Sequence, residues 1–189
     1  MRIHLTTFLL GIALITGCTK TIQSPREALI EDDFAAKTFK TDKEGLSHLI
    51  ALLKTVHGNI EIKFYSKESP NSVSKIVGLI KKGFYDGLKF HRVIPNFIIQ
   101  TGDPTGTGRG GSGKLLKAEF NSIPHIKGTV ALARGEGPDS SDSQFYIALT
   151  TLPHLDGKYT IIGQVVKGME VVDKITKNDI IVSFSIKKK

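Results

Sequence analysis

The stretch that decides the fold is FHRVIPNFIIQTGD, which occupies residues 90–103. It is typical of two short strands, at 89–94 and 97–101, joined by a turn. Alternation along the first strand predicts that Phe90 and Arg92 share one face. A cation beside an aromatic ring on one strand face is unusual unless it borders a pocket. The residues alone also allow a surface arginine stacked on its neighbours.

The segments on either side predict more strands and two helices. An apolar stretch from 47 to 56, a turn at 57–59 and alternating apolar and polar residues at 60–65 predict a hairpin with one buried face. Helical spacing predicts an amphipathic helix from Ser69 to Gly83 and a second helix through Met169 and Ile175. About eight strands and two helices, without regular strand–helix alternation, favour an antiparallel barrel in a mainly β fold class. The remaining strand-like runs are 128–133, 144–149, 160–166 and 180–186.

Four further blocks, together with residues 90–103, resemble the cyclophilins, which are peptidyl-prolyl cis-trans isomerases. They follow the family's order and are KGFYDG at 82–87, GDPTGTG at 102–108, SQFYI at 143–147 and LDGK at 155–158. The resemblance covers about residues 47 to 186. It implies a closed eight-stranded antiparallel barrel capped by two α-helices, with a substrate groove on the outer surface.

The resemblance also implies a set of site residues. Arg92 matches the catalytic arginine, and Gln100 matches the polar residue that holds it, so both are assigned to catalysis. Phe97 matches the floor of the proline pocket. The other substrate-binding positions that the resemblance implies are Ile98, Ala133, Arg134, Gln144, Tyr146, His154, Leu155 and Tyr159.

Several of these positions differ from the residues that many eukaryotic cyclophilins carry. Arg134 stands in place of asparagine, His154 in place of tryptophan, and Tyr159 in place of histidine. The change at His154 predicts weak binding of cyclosporin-type inhibitors. Ile98 replaces a methionine of similar volume, and Tyr146 stands where phenylalanine is common, so the pocket is expected to stay apolar. We therefore expect an active enzyme that needs no metal, nucleotide or covalent cofactor.

Other chemistries have weak signals. The glycine-rich run GTGRGG at 106–111 matches the G-x-G-x-x-G pattern of dinucleotide-binding loops. The match is weak, because no clear helix begins at its end, as that motif requires. No nucleophile-elbow motif is present.

Two alternatives to an isomerase remain open: a non-catalytic chaperone or adhesion module that holds proline-containing peptides, and a structural lipoprotein. The histidines that show no metal-ligand spacing are His48, His57, His91, His125 and His154.

The first residues predict export. A basic start precedes the apolar stretch 5–15, which is too short to span a bilayer stably. The following LITGC, at 14–18, resembles the lipobox of bacterial lipoproteins, in which the cysteine is lipidated after cleavage. This predicts a signal peptide at 1–17 and a lipid anchor on Cys18, the chain's only cysteine. An ordinary signal peptide cleaved elsewhere would instead release a soluble protein.

The rest of the chain predicts one tethered domain. Residues 18–46 are expected to form the lipidated end and a spacer, or a helix packed on the domain. Residues 47–189 form the predicted isomerase domain, since 189 residues suit one core. Thr19 lacks the aspartate linked to inner-membrane retention, which favours the periplasmic side of the outer membrane where two membranes exist. The net charge of +8 comes from scattered lysines, so we expect a monomer that binds exported, proline-containing chains and no nucleic acid.

Overall fold

The structure is a computed structural model that describes residues 49–187. The predicted signal peptide, the predicted lipidation site Cys18 and the predicted spacer lie outside the described residues. Within 49–187, no helix combines the length and the apolar character that crossing a membrane requires.

The described residues form eight strands, two α-helices and one turn of 3-10 helix. Their order along the chain agrees with the predicted succession of a hairpin, a helix and further strands. The helices are α1 (Pro70–Lys81) and α2 (Met169–Val172), and the 3-10 turn is Pro153–Leu155. The strands are β1 (Ile50–Thr55), β2 (Gly58–Phe64), β3 (Arg92–Ile94), β4 (Ile98–Thr101), β5 (Thr129–Leu132), β6 (Phe145–Ala148), β7 (Ile161–Lys167) and β8 (Ile181–Ile186).

All strand pairs are antiparallel, in the order β3-β4-β6-β5-β7-β2-β1-β8. The prediction of a closed barrel is wrong, because β3 and β8 lie at opposite ends of this order and do not pair. β3 has only three residues, and the segment just before it meets the start of β8 through one isolated bridge, Lys89 to Ile180, and through backbone hydrogen bonds outside the strands. The sheet is therefore open between β3 and β8.

Helix α1 covers one side of the sheet. Its buried face contains Val73, Ile76, Val77 and Ile80, as the helical spacing predicts. Helix α2 is shorter than expected, since it ends at Val172. Ile175 is still buried, but it lies beyond the helix in a turn.

Two apolar clusters lie on opposite faces of β4, β5 and β6. The main core lies on the helix side and takes Ile99, Val130 and Phe145 from these strands. Their immediate neighbours Ile98, Ala131 and Tyr146 belong to a smaller cluster on the outer face. Because successive side chains of a strand point to opposite faces, the same three strands hold the core together and support an outer surface.

The expectation that Phe90 and Arg92 share a face is wrong. Phe90 is fully buried in the main core, whereas Arg92 is exposed on the outer surface. The strand begins only at Arg92, and the backbone N–H of Phe90 donates to the Asp179 carbonyl outside any strand. An irregular backbone at this point breaks the alternation that the prediction assumed.

Candidate active site

The outer face carries a cavity of about 150 Å³, which we call the arginine cavity. Its lining comes from β3, β4, β6 and the segments after β5 and around the 3-10 turn, so it exists only in the folded sheet. All nine of its lining residues are predicted site residues: Arg92, Phe97, Ile98, Gln100, Ala133, Arg134, Tyr146, Leu155 and Tyr159.

The β3–β4 hairpin sets Arg92 beside Gln100. The two residues are direct partners in the strand register, and the Arg92 Nη1 donates to the Gln100 Oε1 at 3.1 Å. Asn96 makes the turn possible with a backbone φ of 57°, a conformation that asparagine tolerates better than most residues. The hairpin therefore presents the guanidinium at the cavity in a fixed position.

A chain of hydrogen bonds continues from Gln100 to a loop. The Gln100 Nε2 donates to the Gln144 Oε1 at 2.8 Å. The Gln144 Nε2 in turn donates to the carbonyls of Gly108 and Gly110, at 3.0 and 2.8 Å. In both Gln100 and Gln144, the amide oxygen accepts a hydrogen bond from the side nearer Arg92, and the amide nitrogen donates one on the side nearer the loop. The orientation of the Arg92 guanidinium therefore depends on the glycine-rich loop.

Aromatic rings complete the surroundings of the arginine. The Cζ of Arg92 lies 5.9 Å from the ring centroid of Phe97. His154 stacks on the same Phe97 ring, with centroids 6.1 Å apart and planes inclined by 10°. His154 therefore contacts the cavity floor without lining the cavity. His154 and Gln144 are the two predicted site residues outside the lining, and both contact residues that line it.

Arg134 is held by the opposite wall. Its Nε donates to the Lys158 carbonyl at 3.0 Å, and its Nη1 donates to the carbonyls of Gly135 and Glu136, both at 3.1 Å. Its Cζ lies 5.0 Å from the ring centroid of Tyr159. These bonds tie Arg134 to the cavity wall. Arg92 is held less firmly, by one hydrogen bond to Gln100 and by its approach to the ring of Phe97.

The glycine-rich loop is anchored by the carboxylate of Asp103. Burial raises the pKa of Asp103, but hydrogen bonds from Thr105, Gly110 and Gly108 outweigh it and hold the pKa below its ordinary value. A side chain at Gly110 would place its Cβ 2.1 Å from the Asp103 Oδ1. Glycine is required there because the loop backbone packs directly on the carboxylate.

A family model identifies the family of the chain. The model for "Cyclophilin type peptidyl-prolyl cis-trans isomerase/CLD" matches residues 50–187. The chain belongs to the cyclophilin family. Its membership agrees with the mainly β fold and with the gathering of the predicted residues at one cavity.

Individual relatives agree with this family. A peptidyl-prolyl cis-trans isomerase of Helicobacter pylori is 43% identical over 152 residues, covering 78% of this chain and 93% of the relative. One from Synechococcus elongatus is 43% identical over 138 residues, covering 72% and 94%. A crystal structure of a Cryptosporidium parvum cyclophilin in the presence of the dipeptide Ala-Pro superposes with a TM-score of 0.70 at 28% identity, covering 74% of this chain and 99% of that one.

The cyclophilin domain has a second, larger cavity of about 400 Å³ that the sequence did not predict. We call it the loop cavity. It adjoins the arginine cavity and shares Gln100, Ala133 and Arg134 with it. Its other lining residues are Gly108, Arg109, Gly110, Gly111, Leu115, Gly135, Ser140, Asp142 and Gln144.

Sequence reasoning missed the contacts that support the loop cavity. Lys75, a buried residue of α1, donates to the Asp142 carboxylate and to the Lys114 carbonyl. Burial lowers the pKa of Lys75, and the bond to Asp142 opposes this effect. Lys75 and Asp142 are 67 positions apart, and no local pattern marks them as partners.

Among residues 49–187, no group of three or more acidic, histidine or cysteine side chains is arranged to hold a metal.

Proposed function

We propose that the arginine cavity receives the proline ring of an X-Pro segment and that Arg92 stabilises the twisted amide during cis/trans isomerisation. The observation that carries the proposal is the meeting of Arg92, Phe97 and seven other predicted residues at one cavity. The roles of the individual residues are part of this proposal. They rest on that geometry and on the isomerase activity for which the family is named.

The reaction makes and breaks no covalent bond. Rotation about a peptide bond meets a barrier of about 18 to 20 kcal/mol because resonance keeps the amide planar. In the twisted amide, resonance is lost, the nitrogen carries a lone pair and the carbonyl oxygen is less negative. An enzyme that binds the twisted amide more tightly than either planar isomer accelerates the rotation.

Two features of the arginine cavity favour the twisted amide. Apolar side chains of Phe97, Ile98 and Leu155 would surround the proline ring and exclude water, which solvates the more polar planar amide better. Arg92 would donate a hydrogen bond to the amide nitrogen. A hydrogen bond to a charged group contributes roughly 1.5 to 3 kcal/mol, which corresponds to about ten- to a hundredfold in rate.

Gln100 and Gln144 would keep Arg92 ready for this bond. A guanidinium carries five N–H donors, and the contact with Gln100 occupies one of them. The bond to Gln100 limits the directions that the other donors can take. Gln144 would also contact the substrate backbone, because it lines the loop cavity and bonds to Gln100, which lines both cavities. Positioning of the substrate chain would supply the remaining rate enhancement.

The test is magnetisation exchange between the cis and trans signals of a short Ala-Pro peptide. Wild type should accelerate the exchange, and Arg92→Ala should lower the rate by about ten- to a hundredfold. Lys89→Ala is the matched control, since it removes an exposed cation three residues away that does not line the cavity. A rate for Arg92→Ala within twofold of wild type would refute the role of Arg92.

The same assay separates an isomerase from a non-catalytic binder. A binder would shift the peptide signals without exchanging them. If wild type shifts both signals and leaves the exchange rate at the value of free peptide, the chaperone or adhesion alternative replaces the catalytic one.

We also propose that the enzyme is exported and lipid-anchored through Cys18, and that as a monomer it acts on unfolded, proline-containing exported proteins. In a host with two membranes it would face the periplasm from the outer membrane. The support is the apolar stretch at 5–15 followed by LITGC. Labelled palmitate should enter the wild-type protein but not Cys18→Ser, and only wild type should sediment with membranes. Labelling of Cys18→Ser, or wild type in the soluble fraction, would contradict the anchor.

A further inference from the structure

A fully buried histidine, His125, lies behind the arginine cavity without lining it. Both of its ring nitrogens have partners. The Nδ1 lies 2.8 Å from the Asp156 Oδ1, and the Nε2 lies 2.9 Å from the Tyr146 hydroxyl. The His125 backbone N–H also donates to the same Asp156 Oδ1, at 2.7 Å.

The partners determine the direction of the hydrogen bonds. An ionised carboxylate only accepts, so the Nδ1 of His125 carries a proton and donates to Asp156. Asp156 is ionised at neutral pH because hydrogen bonds from the backbone and side chain of His125 lower its pKa. In a neutral imidazole the Nε2 then accepts, and the Tyr146 hydroxyl donates to it. Burial raises the pKa of Tyr146, which keeps this hydroxyl protonated.

The imidazole contacts two walls of the arginine cavity. It stacks on Tyr146 with centroids 6.1 Å apart and meets the ring of Tyr159 edge-on at 6.4 Å. Tyr146 and Tyr159 in turn meet edge-on at 5.7 Å. Asp156 directly follows Leu155, so the bond between Asp156 and His125 also holds the turn that carries Leu155. One side chain therefore ties β6 to the turn after the 3-10 helix.

We infer that His125 is a positioning residue of this isomerase, which holds Tyr146 and the 155–159 turn at the spacing that fits a proline ring. The inference rests on the proposed binding of proline in the arginine cavity. It concerns the hydroxyl of Tyr146 in particular, since a phenylalanine at that position has no atom that can bond to the His125 Nε2.

The expected kinetic effect differs from that of Arg92. In the proposed mechanism the desolvation of the amide rests on Phe97, Ile98 and Leu155, whereas Tyr146 and Tyr159 contact the proline ring equally in the cis, trans and twisted amides. Loosening them removes binding that is equal in the ground and transition states, which raises KM and leaves kcat nearly unchanged. Loss of Arg92 removes an interaction of the twisted amide, which lowers kcat.

The experiment compares wild type, His125→Phe, Tyr146→Phe, Asp156→Asn and His57→Phe with the Ala-Pro peptide. His125→Phe and Tyr146→Phe should each raise KM and the peptide Kd by about three- to tenfold, with kcat within twofold of wild type. Asp156→Asn keeps an oxygen acceptor for His125 and should therefore raise KM less than His125→Phe does. His57→Phe is the matched control, because His57 also bonds to an aspartate, Asp179, at 2.7 Å but lines neither cavity.

Two further measurements distinguish the loss of positioning by His125 from a loss of folding of the variant protein. The ¹⁵N signals of His125 should show the Nδ1-protonated tautomer, and Tyr146→Phe should shift the Nε2 signal. The double variant His125→Phe/Tyr146→Phe should raise KM no more than His125→Phe does, since both remove the same bond. If His125→Phe fails to fold, Tyr146→Phe and the tautomer decide the question.

Unchanged KM in Tyr146→Phe, or an effect on kcat alone, would overturn the inference while leaving the isomerase assignment intact. Failure of the assignment has a different signature, namely a wild-type protein that does not accelerate exchange.

Discussion

Arg92 depends on side chains that do not bond to the reacting amide nitrogen in the proposed mechanism. Its contact with Gln100 is maintained by Gln144, which is anchored on the carbonyls of Gly108 and Gly110. A change at the far end of this chain should therefore reach the guanidinium.

Gln144→Ala should lower kcat by about five- to tenfold, because Gln100 loses the acceptor that orients it and the loss of one hydrogen bond costs roughly 1 kcal/mol. Exchange spectroscopy of the Ala-Pro peptide measures the effect. Gln164→Ala is a suitable control, since Gln164 has a similar pair of contacts, with Thr129 and the Lys127 carbonyl, on β7. Equal rates for the two variants would contradict the prediction.

His91 is buried beneath the glycine-rich loop and affects stability through its protonation. Burial lowers the pKa of His91 from its ordinary value of 6.5, with the nearby Asp103 carboxylate and Gln144 opposing the effect. Neither ring nitrogen has a hydrogen-bond partner of regular geometry within residues 49–187. Below about pH 6.5 the unfolded chain therefore takes up a proton that the folded chain resists.

The free energy of unfolding should fall as the pH decreases from 7.5 to 5, and His91→Gln should reduce this fall. Chemical denaturation at a series of pH values measures both. Carboxylates with lowered pKa values, such as Asp103 and Asp156, lose their contribution only near and below pH 3.8, so the two ranges are separate. Identical pH dependence in wild type and His91→Gln would contradict the role of His91.

At the scale of elements, the start of helix α1 is capped by a distant residue. Ser69 occupies the N-cap position, but its side chain makes no cap hydrogen bond, because its hydroxyl donates to the Ile161 carbonyl. The backbone N–H groups of Asn71 and Ser72 donate to the carboxylate of Glu119, at 3.0 and 2.8 Å. A negative charge at this end of a helix is also favoured by the helix dipole.

Glu119→Ala should lower the free energy of unfolding by about 1 kcal/mol, because two donors of the first turn lose their acceptor. Denaturant titration measures the loss. Glu136→Ala removes an exposed glutamate from another loop and should change stability by less than about 0.5 kcal/mol. A loss no larger than that of Glu136→Ala would show that Glu119 does not act as a cap.

At the scale of the whole molecule, the lining of the two cavities carries more positive than negative charge. Arg92, Arg109 and Arg134 line them, and the one carboxylate among their lining residues is Asp142. Asp142 already accepts bonds from Lys75 and Ser112. The surface around the proposed proline site should therefore favour substrates with acidic residues near the proline.

A peptide with Glu beside its Ala-Pro unit should have a kcat/KM about two- to fivefold higher than the matching Gln peptide at low salt. The advantage should disappear near 0.5 M salt, where charges are screened within about 4 Å. Arg109→Ala should reduce the advantage at low salt. A ratio that does not change with salt would exclude an electrostatic preference.

Local features of the sequence determined most of the secondary structure and the family. Alternation in β2 and helical spacing in α1 act over a few residues, and the buried faces agree with them. The order of the motifs was enough to predict the residues that line the arginine cavity, because each motif keeps its place in the cyclophilin fold.

Only the tertiary structure decided the features that join distant segments. These are the opening between β3 and β8, the opposite placement of Phe90 and Arg92, the Glu119 cap, and the hydrogen bonds of His125 with Tyr146 and Asp156. The partners in the last two lie 21 to 48 positions apart. Local patterns report which face of an element is buried, whereas the pairing of polar groups depends on which elements the folded sheet brings together.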